Sequence, residues 1–317
     1  MRRTILACCL GLIAACASAP AGKPGWSLIP GSFAPQRQPD GNSVVLAAEG
    51  GAIVVDTGRH AAHTAQVIEA AKARGGVLAI INTHWHLDHT SGNIALREAY
   101  PSAAVYSNGA ALNEALSGFL QRGLVNNRRA LADPATPPGL AEDLRGDIAT
   151  VEQGEKLRPT LTFEAPRMLT IGGRRIEVHT AKAASAGDLW FYDLKERLLI
   201  SGDLVTLPAP FLDTACPEAW RAEFRSILGT PFTQLIPGHG RPMSRSDVEA
   251  YRDAFGALLD CAKGAAAPAV CAAGWATSAA PLLDASSGDV GQAEAYARYY
   301  VENVLRNPQA SQSWCQS

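Results

Sequence analysis

Short apolar runs alternate along this chain with amphipathic stretches of helical period, and glycine, proline or asparagine marks most of the boundaries. Residues 44–47 and 52–55 are apolar runs on either side of Glu49-Gly50-Gly51, a pattern that predicts a hairpin. Val67, Ile68 and Ala71 share one side of a helix predicted over 64–74, and the apolar run 77–81 predicts a buried strand. A helix opening at Thr90-Ser91-Gly92-Asn93 is predicted to run to Tyr100 and stop at Pro101. Residues 104–106 read as a strand and 108–120 as a helix. The least strand-like stretch is 121–166, which holds Pro134, Pro137, Pro138 and Gly139 and then a charged patch over 142–156. Two further hairpins follow, 168–171 with 174–178 about Gly172-Gly173, and 189–192 with 198–200 about 193–197. Leu235-Ile236 leads into Pro237. Ser244, with Asp247 three residues on, caps a helix over 246–259. Val290, Ala293, Ala297, Tyr300, Val301 and Val304 recur at helical spacing up to Asn307-Pro308. Strands interleaved with helices predict an α/β fold.

The start of the chain changes the expected compartment. Met1-Arg2-Arg3 is a positive segment, and 5–15 is apolar but too short to span a bilayer, the pattern of a signal peptide over 1–15. Ile13-Ala14-Ala15-Cys16 resembles a bacterial lipoprotein cleavage box, which places the cut before Cys16 and a lipid on its thiol. Cleavage after Ala19 is the competing site, disfavoured by Pro20. The protein is therefore expected to be exported to the periplasm and lipid-anchored to the envelope, meeting membrane only through Cys16. Residues 16–40 read as a tether and N-terminal extension, 41–262 as the main domain and 263–317 as a helical extension. Within the main domain, 121–166 is either a lid over a site or a solvated excursion. The 317-residue chain has a formal net charge of −2 with both signs dispersed, so nucleic acid is not an expected partner. Its oligomeric state is not legible.

Export also changes the meaning of the cysteines. Cys8 and Cys9 leave with the signal and Cys16 carries lipid, so Cys216, Cys261, Cys271 and Cys315 remain. Four cysteines in an oxidising compartment point to disulfides. Gly264 and Pro268 allow a tight loop between Cys261 and Cys271, and Cys216 with Cys315 follows by elimination. Free buried thiols are the alternative.

The chemistry gathers at Thr83-His84-Trp85-His86-Leu87-Asp88-His89, where three of the seven histidines lie within six residues. Neutral imidazole with carboxylate is a donor set for zinc and similar divalent ions. The preceding strand ends at Asn82, so the run begins where a strand gives way to a loop. His84 and His86, two apart on extended backbone, point to one side. Asp88 and His89 lie past the turn and address a second position. His60 and His63 open the preceding helix and are expected at the surface or rim.

This run is the H-x-H-x-D-H signature of the metallo-β-lactamase fold superfamily, which the chain resembles over roughly residues 44–260. Asp56-Thr57-Gly58, Gly202-Asp203 and Pro237-Gly238-His239-Gly240 follow in family order. The resemblance implies a four-layer αββα sandwich and a binuclear site. One ion would take His84 and His86, the other Asp88, His89 and His239, with Asp203 bridging. Asp56 and Thr83 would hold the histidine loop by hydrogen bonds without ligating. The family's remaining histidine is missing: Ala184 stands in Ala184-Ser185-Ala186-Gly187-Asp188 where it should be. His179, five residues earlier, is roughly 16 Å away along an extended chain and on the opposite strand face. The expected cofactor is thus one tightly held zinc ion, with a second weaker or absent.

The implied activity is hydrolysis of an ester, thioester, lactone or amide-type bond of a small molecule by a metal-activated water. Asp88 is the candidate proton acceptor, or it only holds the ion. The alternatives are a β-lactamase-type amide hydrolase and a metal- or ligand-binding lipoprotein without turnover. Residues 204–211, which follow Asp203, line a pocket or simply cross the core, and the last helix reads as packing.

Overall fold

The computed structural model describes residues 25–307. Cys16, the signal peptide expected over 1–15 and Cys315 lie outside the described residues. The first sheet contains β1 (Trp26–Ile29), β2 (Ser43–Ala48), β3 (Gly51–Val55), β4 (Val77–Ile81), β5 (Ala104–Ser107) and β6 (Leu161–Thr162), in that order. The second runs β7 (Arg167–Ile171), β8 (Arg174–Ala181), β9 (Asp188–Asp193), β10 (Leu198–Thr206), β11 (Gln234–His239), with β10 and β11 parallel. Ten α-helices join them among the described residues: α1 (Ala61–Lys72), α2 (Leu87–Thr90), α3 (Asn93–Ala99), α4 (Gly109–Ser117), α5 (Phe119–Leu131), α6 (Pro138–Glu152), α7 (Pro217–Gly229), α8 (Arg245–Lys263), α9 (Pro268–Ala279) and α10 (Val290–Tyr300).

Side-chain alternation sorts these strands into layers. Val44, Leu46, Ile53, Val55, Ala79 and Ile81 of the first sheet pack against Ile176, Val178, Leu189, Phe191, Leu198 and Ile200 of the second. Their neighbours point the other way. Val45, Val54, Ile80 and Val105 meet Val67 and Ala71 of α1 and Leu96 of α3. Trp190, Tyr192 and Leu199 meet Trp220 and Phe224 of α7, Tyr251 and Phe255 of α8 and Trp275 of α9. Strands apolar on both faces read as continuous apolar runs because each face is covered. The result is helix, sheet, sheet, helix, as expected.

The structure adds detail at three stretches, the first of which moves an expected boundary. β1 already pairs with β2 from Trp26, because Leu28 and Ile29 find apolar cover there, so the sheet begins earlier than residue 41. The stretch 121–166 is mostly helical: α5 and α6 pack against each other, with Leu120, Leu124 and Val151 in one apolar cluster. Of residues 204–211, Leu204, Val205, Leu207 and Ala209 are core, and only Phe211 reaches the cavity described below.

Cys261 at the end of α8 is bonded to Cys271 of α9, with Cα atoms 5.5 Å apart. This closes the turn that folds the C-terminal helices back onto α8. Replacing both by serine is expected to lower the melting temperature by roughly 5 °C, from the loop entropy returned to the unfolded chain. Differential scanning calorimetry checks this, and an unchanged midpoint would contradict it.

Candidate metal centre

Four strand ends supply the site. β3 ends at Val55 beside Ile81 of β4, and Asp56 and the histidine loop leave from there together. β10 carries Asp203 and β11 ends at His239. The backbone at these ends is tight. Gly202 has φ +52, a conformation costly for a side chain, and any Cβ there would meet Thr83. A Cβ on Gly238 would collide with Asp203 Oδ1. Asp56 itself sits at φ 56, which a non-glycine residue holds only when its surroundings fix it.

Those surroundings are the hydrogen bonds of the site. Asp56 accepts from the Thr83 backbone N–H at 2.8 Å, from Thr83 Oγ1 at 2.7 Å and from His89 Nδ1 at 2.8 Å. Thr83 Oγ1 also lies 3.0 Å from His84 Nδ1. Since that hydroxyl proton is given to Asp56, it accepts from His84 Nδ1–H. His84 and His89 thereby keep their lone pairs on Nε2.

The two predicted groups come together. His84, His86 and Asp203 offer ligand atoms within 4.8 Å of one another, and so do Asp88, His89 and His239. Asp203 stands between them: Oδ2 is 3.7 Å from His84 Nε2, while Oδ1 is 3.3 Å from His89 Nε2 and 3.6 Å from His239 Nε2. Asp88 Oδ2 lies 3.1 Å from His239 Nε2. His84 Nε2, His89 Nε2, His239 Nε2 and both Asp203 oxygens are buried with no hydrogen-bond partner. Leaving such atoms bare is costly, so their convergence on one another fits a bound cation.

The electrostatics agree. Burial pushes His84 well below its ordinary pKa, with His89 and His86 adding to the effect, so it is a neutral donor. Burial also opposes charge on His89, but Asp203, Asp88 and Asp56 together hold its pKa well above the ordinary value. A cluster of carboxylates that draws a proton onto a buried imidazole draws a divalent cation for the same reason.

Around Ala184, where the resemblance leads one to expect a histidine, the nearby side chains offer no further ligand. Ala184 is buried and carries no donor, and the Ser185 hydroxyl is spent on Asp188 Oδ1 at 2.7 Å. His179 stacks flat on Trp190, with centroids 3.7 Å apart, and joins neither group. The space is wired differently. Thr214 Oγ1 donates to the Ala184 carbonyl at 3.1 Å and lies 3.0 Å from His86 Nε2. With its proton on the carbonyl, the hydroxyl accepts from His86 Nε2–H and leaves Nδ1 as the donor atom. Thr214 carries no sequence signal, being 128 residues from His86.

The sequence model of the metallo-beta-lactamase superfamily matches residues 37–268. The chain belongs to that superfamily. A metallo-beta-lactamase family protein from Thermus thermophilus superposes with a TM-score of 0.57 at 18% identity, over 88% of this chain and 93% of that one. The sec-alkylsulfatase Pisa1 from Pseudomonas sp. gives 0.54 at 18% identity, over 85% of this chain and 49% of its own. At these identities the likeness is one of fold. A 58-residue stretch is 45% identical to the hydroxyacylglutathione hydrolase of Gloeobacter violaceus. That stretch is 15% of this chain and spans only 23% of that curated relative. Superfamily members bind metal, typically zinc, and the donor set here is of that kind.

Around the centre, this superfamily member has built a latch to its helical insert. Arg59 places Nη2 3.7 Å from Asp88 Oδ1 and pairs through Nη1 with Asp147 of α6. His60 is half-buried, with Nδ1 2.6 Å from Asp40 and Nε2 2.9 Å from Asp143 of α6. His63, expected at the rim, is buried instead, its Nε2 2.8 Å from Ser43 Oγ, because α1 turns that face onto β2.

Two outcomes follow from this geometry. Thr214→Val keeps the side-chain volume but removes the hydroxyl, and should weaken metal affinity at the His84–His86–Asp203 group by about 10–100-fold. Cobalt titration followed by d–d absorption reads this; Thr214→Ser should restore the wild-type spectrum, and a Val variant indistinguishable from wild type would refute the role. The second concerns pH. The Asp40 hydrogen bond raises His60 above its ordinary 6.5, with Asp143 adding and burial opposing. A raised pKa in the folded state means stability fully present below 6.5 and lost as pH rises through the folded value. Hydrogen exchange in α6 should therefore quicken as pH rises through that value beyond its intrinsic pH dependence, and His60→Gln should remove the excess.

Proposed function

We propose that this protein is an exported, zinc-dependent hydrolase that cleaves an ester, thioester, lactone or amide-type carbonyl bond. One observation carries the reading: five buried, partnerless donor atoms of His84, His89, His239 and Asp203 face one another at the strand ends. A divalent ion bound there supplies a nucleophilic water at neutral pH and polarises the scissile carbonyl. In the overall reaction the water oxygen bonds the acyl carbon, the bond to the alcohol, thiol or amine breaks, and the leaving group departs with a proton.

The chain's own residues hold the rest. Burial opposes ionisation of Asp88, yet His89, His239 and Arg59 keep its pKa well below the ordinary carboxylate range, so it is an anion at working pH. Its Oδ2 faces His239 while Oδ1 faces Arg59, which orients the carboxylate and leaves it as the proton acceptor beside the site. Asp88, His89, His239 and Asp203 form a full set of four donors. His84, His86 and Asp203 form a set of three. The first set holds the tight ion and the second a weaker one or none. The resemblance of a short stretch to a hydroxyacylglutathione hydrolase supports carbonyl chemistry. The leader and Cys16 support export and a lipid anchor.

Ala184 favours a second reading, a metal-binding protein without turnover. The two separate in one experiment. Zinc per chain is measured, and ester, thioester, lactone and β-lactam reporters are assayed with and without chelator. The hydrolase reading expects about one tight zinc, chelator-sensitive turnover, and a loss of about 100-fold or more in Asp88→Ala. Ala184→His should raise zinc content towards two per chain. Tight zinc with no turnover on any reporter favours the second reading, and a folded protein without metal affinity sinks both.

A further inference from the structure

A cavity of about 400 Å³ opens onto His86 and Asp88. Its apolar lining comes from separate parts of the chain: Phe33 before β2, Trp85 in the histidine loop, Phe119 and Leu124 in α5, Phe211 after β10, and Tyr296 in α10. Phe33, Phe211 and Tyr296 form one aromatic cluster with centroids 6.0 to 6.1 Å apart. Two of these rings, Phe33 and Phe211, lie 5.8 and 5.6 Å from His239 and meet it edge-on. A second aromatic pair, Trp85 with Phe119 at 5.4 Å, lies beside His86. The last helix is therefore part of the site and not only packing.

The charges of the wall are already used. Among the described lining residues Arg59 is the one lysine or arginine. Its Nε donates to the Pro39 carbonyl at 3.0 Å, Nη1 pairs with Asp147, and Nη2 faces Asp88. Asp213 accepts from the Tyr300 hydroxyl at 2.7 Å. Beyond the metal ligands the wall carries Asp147 and Asp213 against Arg59, so its net charge is negative and it offers no spare cation. A substrate carboxylate or sulfate entering beside these rings would find no free lysine or arginine to pair with, and a negatively charged wall around it. An uncharged ring would be covered on several sides by aromatic faces and edges. The neutral amides of Gln38, Asn126 and Asn127 remain on the wall to orient it.

We infer that the substrate is an uncharged ester or lactone whose acyl or alcohol part carries an aromatic or similarly flat apolar group. This rests on the hydrolase reading above and specifies what that site accepts. Anionic substrates are disfavoured by the same wall.

The test uses the zinc-loaded full chain and a matched pair of esters, 4-nitrophenyl phenylacetate and its analogue with a carboxylate on the phenylacetyl ring. The leaving group is shared, so intrinsic reactivity differs little. Turnover is followed as nitrophenolate release, and calorimetry measures binding of the corresponding non-hydrolysable ketones. Expected are at least tenfold higher kcat/KM for the neutral ester and at least tenfold tighter binding of the neutral ketone. Phe211→Ala should cost at least tenfold in both while zinc content stays at the wild-type level. Equal or better turnover or binding of the carboxylate form overturns the inference, as does failure of the neutral ketone to bind. Selective binding of the neutral ketone without turnover of either ester supports the pocket inference while defeating the hydrolase reading.

Discussion

Asp203 carries two buried carboxylate oxygens with no hydrogen-bond donor, wedged between His84 on one side and His89 and His239 on the other. A bare, buried carboxylate is among the most costly groups a protein can hold. Here the cost falls where β10, β11 and the histidine loop meet, and it is tolerable only with positive charge between the rings. The apolar sandwich between the sheets, the tight turns at Gly202 and Gly238 and the strained backbone of Asp56 all serve to hold that arrangement closed.

The neighbours of the ligands decide which atoms point inward. Asp56 is a hub: through Thr83 and directly through His89 it fixes two ring tautomers with one carboxylate. Thr214 does the equivalent for His86 while tying down the Ala184 carbonyl. The backbone at Ala184 is thus structured, and the His86 ring beside it is oriented by a hydroxyl. The donors number three on that side against four on the other, with Asp203 counted in both.

The cavity has a different origin from the metal site. Strand ends of the sandwich build the ligand cluster, whereas segments outside the sheets build the walls: the stretch before β2, the α5–α6 insert and α10. Arg59 joins the two, since one guanidinium spans Asp88 at the centre and Asp147 on the insert. Movement of the insert and the environment of Asp88 are therefore physically linked.

Strands β2 to β5 and β7 to β10, their hairpins and five of the ten helices were legible in the sequence because each rests on local periodicity and on turn residues a few positions apart; β1, β6 and helices α2, α5, α6, α7 and α9 were not. The six side chains that converge were legible as well: four lie within six residues, and Asp203 and His239 each follow a glycine after an apolar run. Tertiary structure alone decided what lies across the chain from each of these. The bond of Thr214 to His86 joins residues 128 apart, that of Arg37 to Asp143 residues 106 apart, and His63 is buried by the way α1 rolls onto β2. Tyr296 looks like any residue on an amphipathic helix until the fold brings it to Phe33 and Phe211. Periodicity records which face of an element avoids water. It carries no information on which distant residue will meet that face, because that choice is made by the packing of whole layers.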